Sequence, residues 1–178
     1  MTQVSPLPAD AITDPELREL IAQCEALGVP DATFARILAR APAQAKPLLR
    51  AMLVSHRDGQ VDHKLKEIIR VQLARFAGDP YFARLRSNKA RACGLSEAAI
   101  DAGSGDYEDF AGFTPAEKCA LRYADQMFLD ASKVDAGFYA ELKTHYSEAQ
   151  IMELGAFIAF HYGMHLFMRS LRDLAPVE

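Results

Sequence analysis

Six residues in this chain have the types and spacing to do chemistry. Glu67 heads a row with Val71, Ala74 and Gly78, so a carboxylate leads a line of small apolar side chains along one helix. Burial beside such residues raises a carboxylate's pKa toward neutrality, which suits a general acid or base. The alternative is a pair with Lys64 or Arg70 on the helix surface, or with an arginine elsewhere. Asp79 precedes Pro80, the arrangement of a helix N-cap and first-turn proline. The same carboxylate can act as a base, or hold a substrate together with the helix's first amides. Arg86 stays protonated and can grip a carboxylate with two hydrogen bonds, or form a salt bridge with Glu67 or Asp79. Tyr81, beside that corner, is a hydrogen-bonding or proton-donating group, or a core tyrosine. His161 and His165 stand at i and i+4 on one helix face. That spacing can hold a metal, and it equally suits a proton shuttle or two satisfied core or interface histidines. No glutamate follows His161, so the zinc-protease pattern is missing, and a third ligand would have to come from Glu67, Asp79 or another chain. The assignment taken is Glu67, Asp79 and His165 as catalytic, with Arg86, Tyr81 and His161 binding substrate and no metal or cofactor. His56, His63 and His145 lie near expected helix ends, where exposure is the default.

The elements that must position these groups are helices. Leu65, Ile68, Ile69, Leu73 and Phe76 follow the i, i+3, i+4 spacing of a buried stripe. A tight Gly78-Asp79-Pro80 corner joins that helix to a second running toward Gly94. Asp14-Pro15 opens an earlier helix that Gly28 ends, Asp31 begins a short one ended by Pro42, and a third covers Ala43 to about His56. Ser96 caps a short helix to about Gly103, and the polar, aromatic stretch 104–112 is the expected hinge. Thr114-Pro-Ala-Glu117 and Ser147-Glu-Ala-Gln150 are capping boxes. They open helices to about Leu129 and Leu174, with another between them from Ala136 to about His145. Alternating apolar runs bounded by Asn-Gly or Asp-Gly turns are missing, so the expected class is all-α. Residues 1–12 are expected as a flexible arm and 13–178 as one domain.

Composition narrows the function classes. With 178 residues, half of them apolar, one domain with a sizeable core is expected. Twenty basic against 24 acidic residues give a net charge of −4, which offers no electrostatic case for nucleic acid. Cys24, Cys93 and Cys119 are odd in number and lack C-x-x-C spacing, which suits structural thiols in a reducing compartment. The first residues lack the basic and apolar regions of a signal peptide, and the apolar stretch Leu154–Met168 is interrupted by His161 and His165. The expectation is a soluble cytoplasmic protein acting on a small molecule, without membrane or nucleic-acid partners.

The stretch Asp62–Gly94 resembles the carboxymuconolactone decarboxylase and alkyl hydroperoxidase D superfamily. The resemblance spans about residues 40–172, and Lys89 to Glu97 (KARACGLSE) is its most literal part. Against the peroxidase branch's E-x(11)-C-x-x-C-x-x-x-H pattern, Glu67 is kept, while Asp79, Phe82 and Arg86 stand at the two cysteine positions and the histidine position. The resemblance implies the alkyl hydroperoxidase D-like fold, a proton-transfer role for Glu67, and homotrimers or hexamers with pockets near subunit contacts. The redox pair itself is absent. An internal echo fits the two-repeat members: Glu67 and Glu153 open similar helices, and twelve residues beyond each sit Asp79 and His165. Packing repeat against repeat would complete the core.

Two functional readings follow. One is a cofactor-independent lyase, decarboxylase or isomerase acting on a small aromatic-derived or lactone acid through a stabilised anion. The other is a non-catalytic oligomeric binding protein on the same fold. A peroxidase using Cys93 or Cys119 comes last. Fold alone does not choose among them.

Overall fold

The computed structural model describes residues 3–171. It is all-α, with ten α-helices and two single 3-10 turns among the described residues. The helices are α1 (Pro15–Leu27), α2 (Ala32–Leu38), α3 (Pro42–Arg57), α4 (His63–Phe76), α5 (Pro80–Arg84), α6 (Asn88–Ala92), α7 (Glu97–Gly103), α8 (Pro115–Leu129), α9 (Ala136–His145) and α10 (Glu148–Ser170). Starts are fixed by side-chain caps. Asp14, Asp31, Asp62, Asp79, Ser87, Ser96, Thr114, Asp135 and Ser147 each accept a backbone N–H of the turn that follows. Both expected capping boxes form.

Helix α4 is the axis of the fold. It packs along α10 and against α5, α7 and α8, and its buried face is not a stripe: from Leu65 to Ala74 every side chain is buried. Phe76 is the member of the expected stripe that is only half-buried, tilted against Phe128 with ring centroids 4.8 Å apart. A helix covered on all sides must bury polar residues, and Lys66, Glu67, Arg70 and Gln72 are carried inside with it. Two apolar clusters flank this axis. One gathers α1–α3 around Leu17, Phe34, Leu49 and Met52, and the other gathers α7–α10 around Ile69, Leu121, Leu154 and Phe157.

Two boundaries differ from expectation. The helix after the corner is broken: α5 ends at Arg84 and α6 begins at Asn88, so Arg86 lies between helices rather than inside one. Residues 3–12, expected as a flexible arm, are hydrogen-bonded to the body. Gln3 donates to the Leu171 carbonyl at 3.1 Å and Leu7 to the Arg36 carbonyl at 3.1 Å, and Ile12 is buried. The last helix is described to Ser170, and its expected end near Leu174 lies outside the described residues. By length and mean hydropathy (1.2) α10 would pass for a membrane span. Here it is a core helix, with Ile151, Leu154, Phe157, Ile158, His161, His165 and Met168 buried.

Candidate functional site

The short turn between α3 and α4 makes the two helices antiparallel neighbours, so the last turn of one faces the first turns of the other. His56, at the end of α3, therefore meets Glu67. Glu67 is fully buried and accepts four contacts. Arg70 donates from Nε to Oε2 and from Nη2 to Oε1, both at 2.8 Å. The Ser87 amide donates to Oε1 at 2.8 Å, and His56 Nε2 lies 2.9 Å from Oε2. Burial alone would raise this carboxyl, but the Arg70 charge and the Arg70 and His56 hydrogen bonds hold it well below the usual carboxylate range. The expected raised pKa is thus reversed: Glu67 is the ionised counter-ion of Arg70, with three hydrogen bonds taken up by Arg70 and the Ser87 amide. Arg70 completes the cluster by donating to the Phe82 carbonyl at 2.7 Å and the Leu85 carbonyl at 2.6 Å, which ties the end of α5 to α4.

His63 lies under the same cluster, stacked on His56 at 4.6 Å between ring centroids. Its Nδ1 is 2.7 Å from the His56 carbonyl and its Nε2 is 2.7 Å from Ser87 Oγ. A carbonyl only accepts, so Nδ1 carries the proton and Ser87 donates to Nε2. Burial, then the neighbouring His56, push this imidazole down to about 4. Exposure, the default for His56 and His63, is overturned: the α3–α4 turn folds both rings inward.

Asp79 is held differently. Its Oδ1 caps α5, accepting from the Tyr81 amide at 3.0 Å and the Phe82 amide at 3.4 Å. Its Oδ2 has no hydrogen-bond partner and lies 3.8 Å from Nδ1 of His165. Gly78, in the left-handed region at φ 63°, turns the chain so that this carboxylate faces α10. Burial pushes Asp79 up to about 6 against the pull of the Phe82 amide and the Arg70 and Arg84 charges. Burial, with the Arg70 charge, pushes His165 down to about 3. Neither His165 nitrogen makes a well-aligned hydrogen bond, although the Arg70 backbone offsets part of the downward shift, and the ring sits edge-on to Phe82 at 4.9 Å.

His161, one turn earlier on α10, continues this row. Its ring lies 6.2 Å from that of His165 and 5.9 Å from that of His56, and it packs on Phe157 at 4.1 Å. Its Nε2 is 3.3 Å from Ser55 Oγ, while Nδ1 is unpartnered. Burial, then the neighbouring His56 and His165, hold it well below the ordinary histidine value.

The two remaining sequence candidates stand apart. Tyr81 directs its hydroxyl to the Asp31 carboxylate and accepts from the Phe34 amide, so it braces α2 against α5. Arg86 reaches neither Glu67 nor Asp79. Its guanidinium binds Glu97 at 2.8 Å and the Ala83 and Leu85 carbonyls at 2.7 and 2.8 Å. Sequence reasoning thus missed Arg70 as the inward partner of Glu67, and with it His56, His63, Ser55 and Ser87. The available signals were the i, i+3 spacing of Glu67 and Arg70, which reads as a surface pair, and the short turn that pairs α3 with α4. Among the described residues no group of three or more His, Cys, Asp or Glu side chains is arranged to hold a metal ion.

No protein-family model matches the sequence, and no curated protein matches it. Solved structures are similar in fold. The debrominase Bmp8 aligns over 98% of this chain and 92% of its own, with a TM-score of 0.80 at 17% identity. A cysteine-to-alanine form of that debrominase, in complex with 2,3,4-tribromopyrrole, aligns with a TM-score of 0.81 at 18% identity, over 99% and 93% of the two chains. An uncharacterized peroxidase-related protein from Ralstonia eutropha JMP134, described as an alkylhydroperoxidase AhpD core, gives 0.77 at 15% identity over 96% and 92%. This chain has the all-α, AhpD-like fold that its central stretch resembles.

Proposed function

We propose that this protein is a soluble, cytoplasmic, cofactor-independent enzyme of the lyase or isomerase type, which moves a proton on a small substrate with Asp79 and His165 as its acid–base pair. The observation that carries this reading is the 3.8 Å approach of two buried groups from opposite halves of the chain, with Asp79 Oδ2 free of other hydrogen bonds. A purely structural buried pair would be satisfied, since an unpaired buried polar atom costs roughly 1–3 kcal/mol. Near pH 7 Asp79 is mainly ionised beside a neutral imidazole, so the pair can accept a proton and return it. Decarboxylation, elimination and isomerisation of a lactone or aromatic-derived acid all pass through an anion that such a pair would protonate. Glu67 leaves the catalytic list on this reading: its network fixes His56 and the ends of α5 and α6 around the pair. Arg86 would bind a substrate carboxylate only by leaving Glu97.

The test is deuterium incorporation from D2O into a panel of small lactone and aromatic acids, read by 1H NMR. The panel includes 2,3,4-tribromopyrrole, which the cysteine-to-alanine form of the debrominase binds. Asp79→Asn and His165→Gln should each lower exchange by ~10²-fold or more, the usual contribution of a general acid or base. Arg86→Ala should stay within about threefold of wild type, less than a single good hydrogen bond provides. Exchange at the wild-type rate in both dyad variants sinks the reading.

One observation favours the second reading, an oligomeric binding protein. Met152, Leu166 and Phe167 on α10 and Val54 on α3 are exposed apolar side chains, and a trimer or hexamer would cover them. Light scattering reports the assembly, and a strictly monomeric chain removes that support. Thiolate chemistry has less. Cys24 and Cys119 are buried, and burial pushes their thiols up to about 12 and about 11.

A further inference from the structure

Between α3 and α10 lies an open recess of about 390 Å³, within the usual size range of small-molecule sites. Its walls are apolar: Ala51 and Val54 from α3, and Ala156, Phe157 and Phe160 from α10. Two carboxylates also border it, and both are engaged. Glu153 binds buried Lys66 at 2.9 Å and the Gln60 amide at 2.7 Å, while Asp58 pairs with Arg57 at 3.0 Å. The remaining polar side chain is Ser55. Its Oγ donates to the Met52 carbonyl at 3.2 Å and lies 3.3 Å from Nε2 of His161. With the hydroxyl proton on Met52, His161 Nε2–H donates to Oγ, and one Oγ lone pair stays open toward the recess.

From this geometry we infer that the recess binds a small aromatic ring bearing a hydroxyl, with the ring against Phe157 and Phe160 and the hydroxyl donating to Ser55. This binding site stands apart from the proton-transfer reading, since the buried His161 ring separates Ser55 from the Asp79–His165 pair. His161 stands between the two sites. Its Nε2 lies 3.3 Å from Ser55 Oγ on the recess side, and its ring lies 6.2 Å from that of His165 on the inner side with no hydrogen bond joining the two imidazoles. An exposed, apolar-walled hollow ending on a hydroxyl backed by a buried, half-satisfied imidazole is what a phenol-like ligand would require.

The experiment is a 19F NMR titration of 4-fluorophenol and fluorobenzene against wild type, Ala156→Trp and Ser55→Ala. Ala156 is exposed on α10, so tryptophan there fills the recess without entering the core. Saturable 4-fluorophenol binding to wild type, lost in Ala156→Trp, is expected. Ser55→Ala should weaken 4-fluorophenol by about tenfold, the effect of one hydrogen bond, and leave fluorobenzene unchanged. No saturable binding to wild type overturns the proposal, as does equal binding to wild type and Ala156→Trp. So does a wild-type oligomer that Ala156→Trp splits while 4-fluorophenol fails to bind either form, which would make the recess an interface between copies. If the Asp79 and His165 variants keep full exchange activity while 4-fluorophenol still binds, the dyad reading fails and the recess stands.

Discussion

Lowering the pH from 7 to 5 should destabilise this protein, and the structure sets the size of the effect. His63 and His165 are buried neutral at about 4 and about 3, below the ordinary value of 6.5. A group whose folded pKa is depressed binds protons preferentially when unfolded, so the unfolded state gains as pH falls below 6.5. At pH 5 each of these histidines costs about 2 kcal/mol relative to pH 7, together about 4 kcal/mol. Asp79 works in the opposite direction. Its folded value of about 6 exceeds the ordinary 3.8, so it takes up a proton in the folded state and returns about 1 kcal/mol over the same range. The net loss from these three groups is about 2–3 kcal/mol, and His56 and His161, also held low by burial, add to it. Urea unfolding at pH 7, 6 and 5 measures this directly, with the slope m held constant to exclude a change in the unfolded state. Asp79→Asn should steepen the loss by removing the opposing contribution. Stability that is flat or rising between pH 7 and pH 5 would refute the claim that these imidazoles are buried and neutral.

The Glu67–Arg70 pair predicts a context-dependent loss. Arg70→Met alone strands a buried carboxylate and should cost ~3–5 kcal/mol in chemical denaturation, while the double change Glu67→Leu/Arg70→Met should recover much of it. Arg86→Ala removes a mostly buried side chain that bonds the Ala83 and Leu85 carbonyls as well as exposed Glu97, and should cost roughly 1–3 kcal/mol. Gly59→Ala should be far more disruptive. Its φ is 108°, and an added Cβ would lie 2.2 Å from Glu153 Oε1, forcing that carboxylate away from buried Lys66. A melting temperature within a degree or two of wild type for Gly59→Ala would show that Glu153 does not clamp the α3–α4 turn.

The fold was legible because its determinants are local. Asp14-Pro15, Thr114-Pro115 and Ser147 with Gln150 announce their helices through capping chemistry that depends on only four or five consecutive residues. The matching distances of Asp79 from Glu67 and of His165 from Glu153 hint at their pairing, and the packing of α10 on α4 brings them together. What periodicity could not supply was orientation on a helix buried all round. On α4 a polar residue off the apolar stripe reads as surface, so Arg70 looks like a solvent-facing partner although a neighbouring element covers that face as well. Arg86 differs for another reason. The local pattern carries a helix through Leu85-Arg86-Ser87, and the chain breaks there because Ser87 caps a new helix while Arg70 binds the carbonyls that end the old one.

Two buried carboxylates close to one corner thus meet opposite fates, and the difference decides their roles. Glu67 accepts three hydrogen bonds and has a cation beside it, which hold its carboxyl well below the usual range, so it stays ionised near neutral pH. Asp79 has one oxygen locked by α5 amides and the other facing only a neutral imidazole, so its second oxygen can change protonation state without unfolding the corner. Where environments push titratable groups apart in this way, the proposed acid–base role falls to the less satisfied group. At the corner where the resembling family carries a reactive cysteine, this chain places a carboxylate with one oxygen free. The retained glutamate, which the resemblance marks for proton transfer, is the one that geometry ties down.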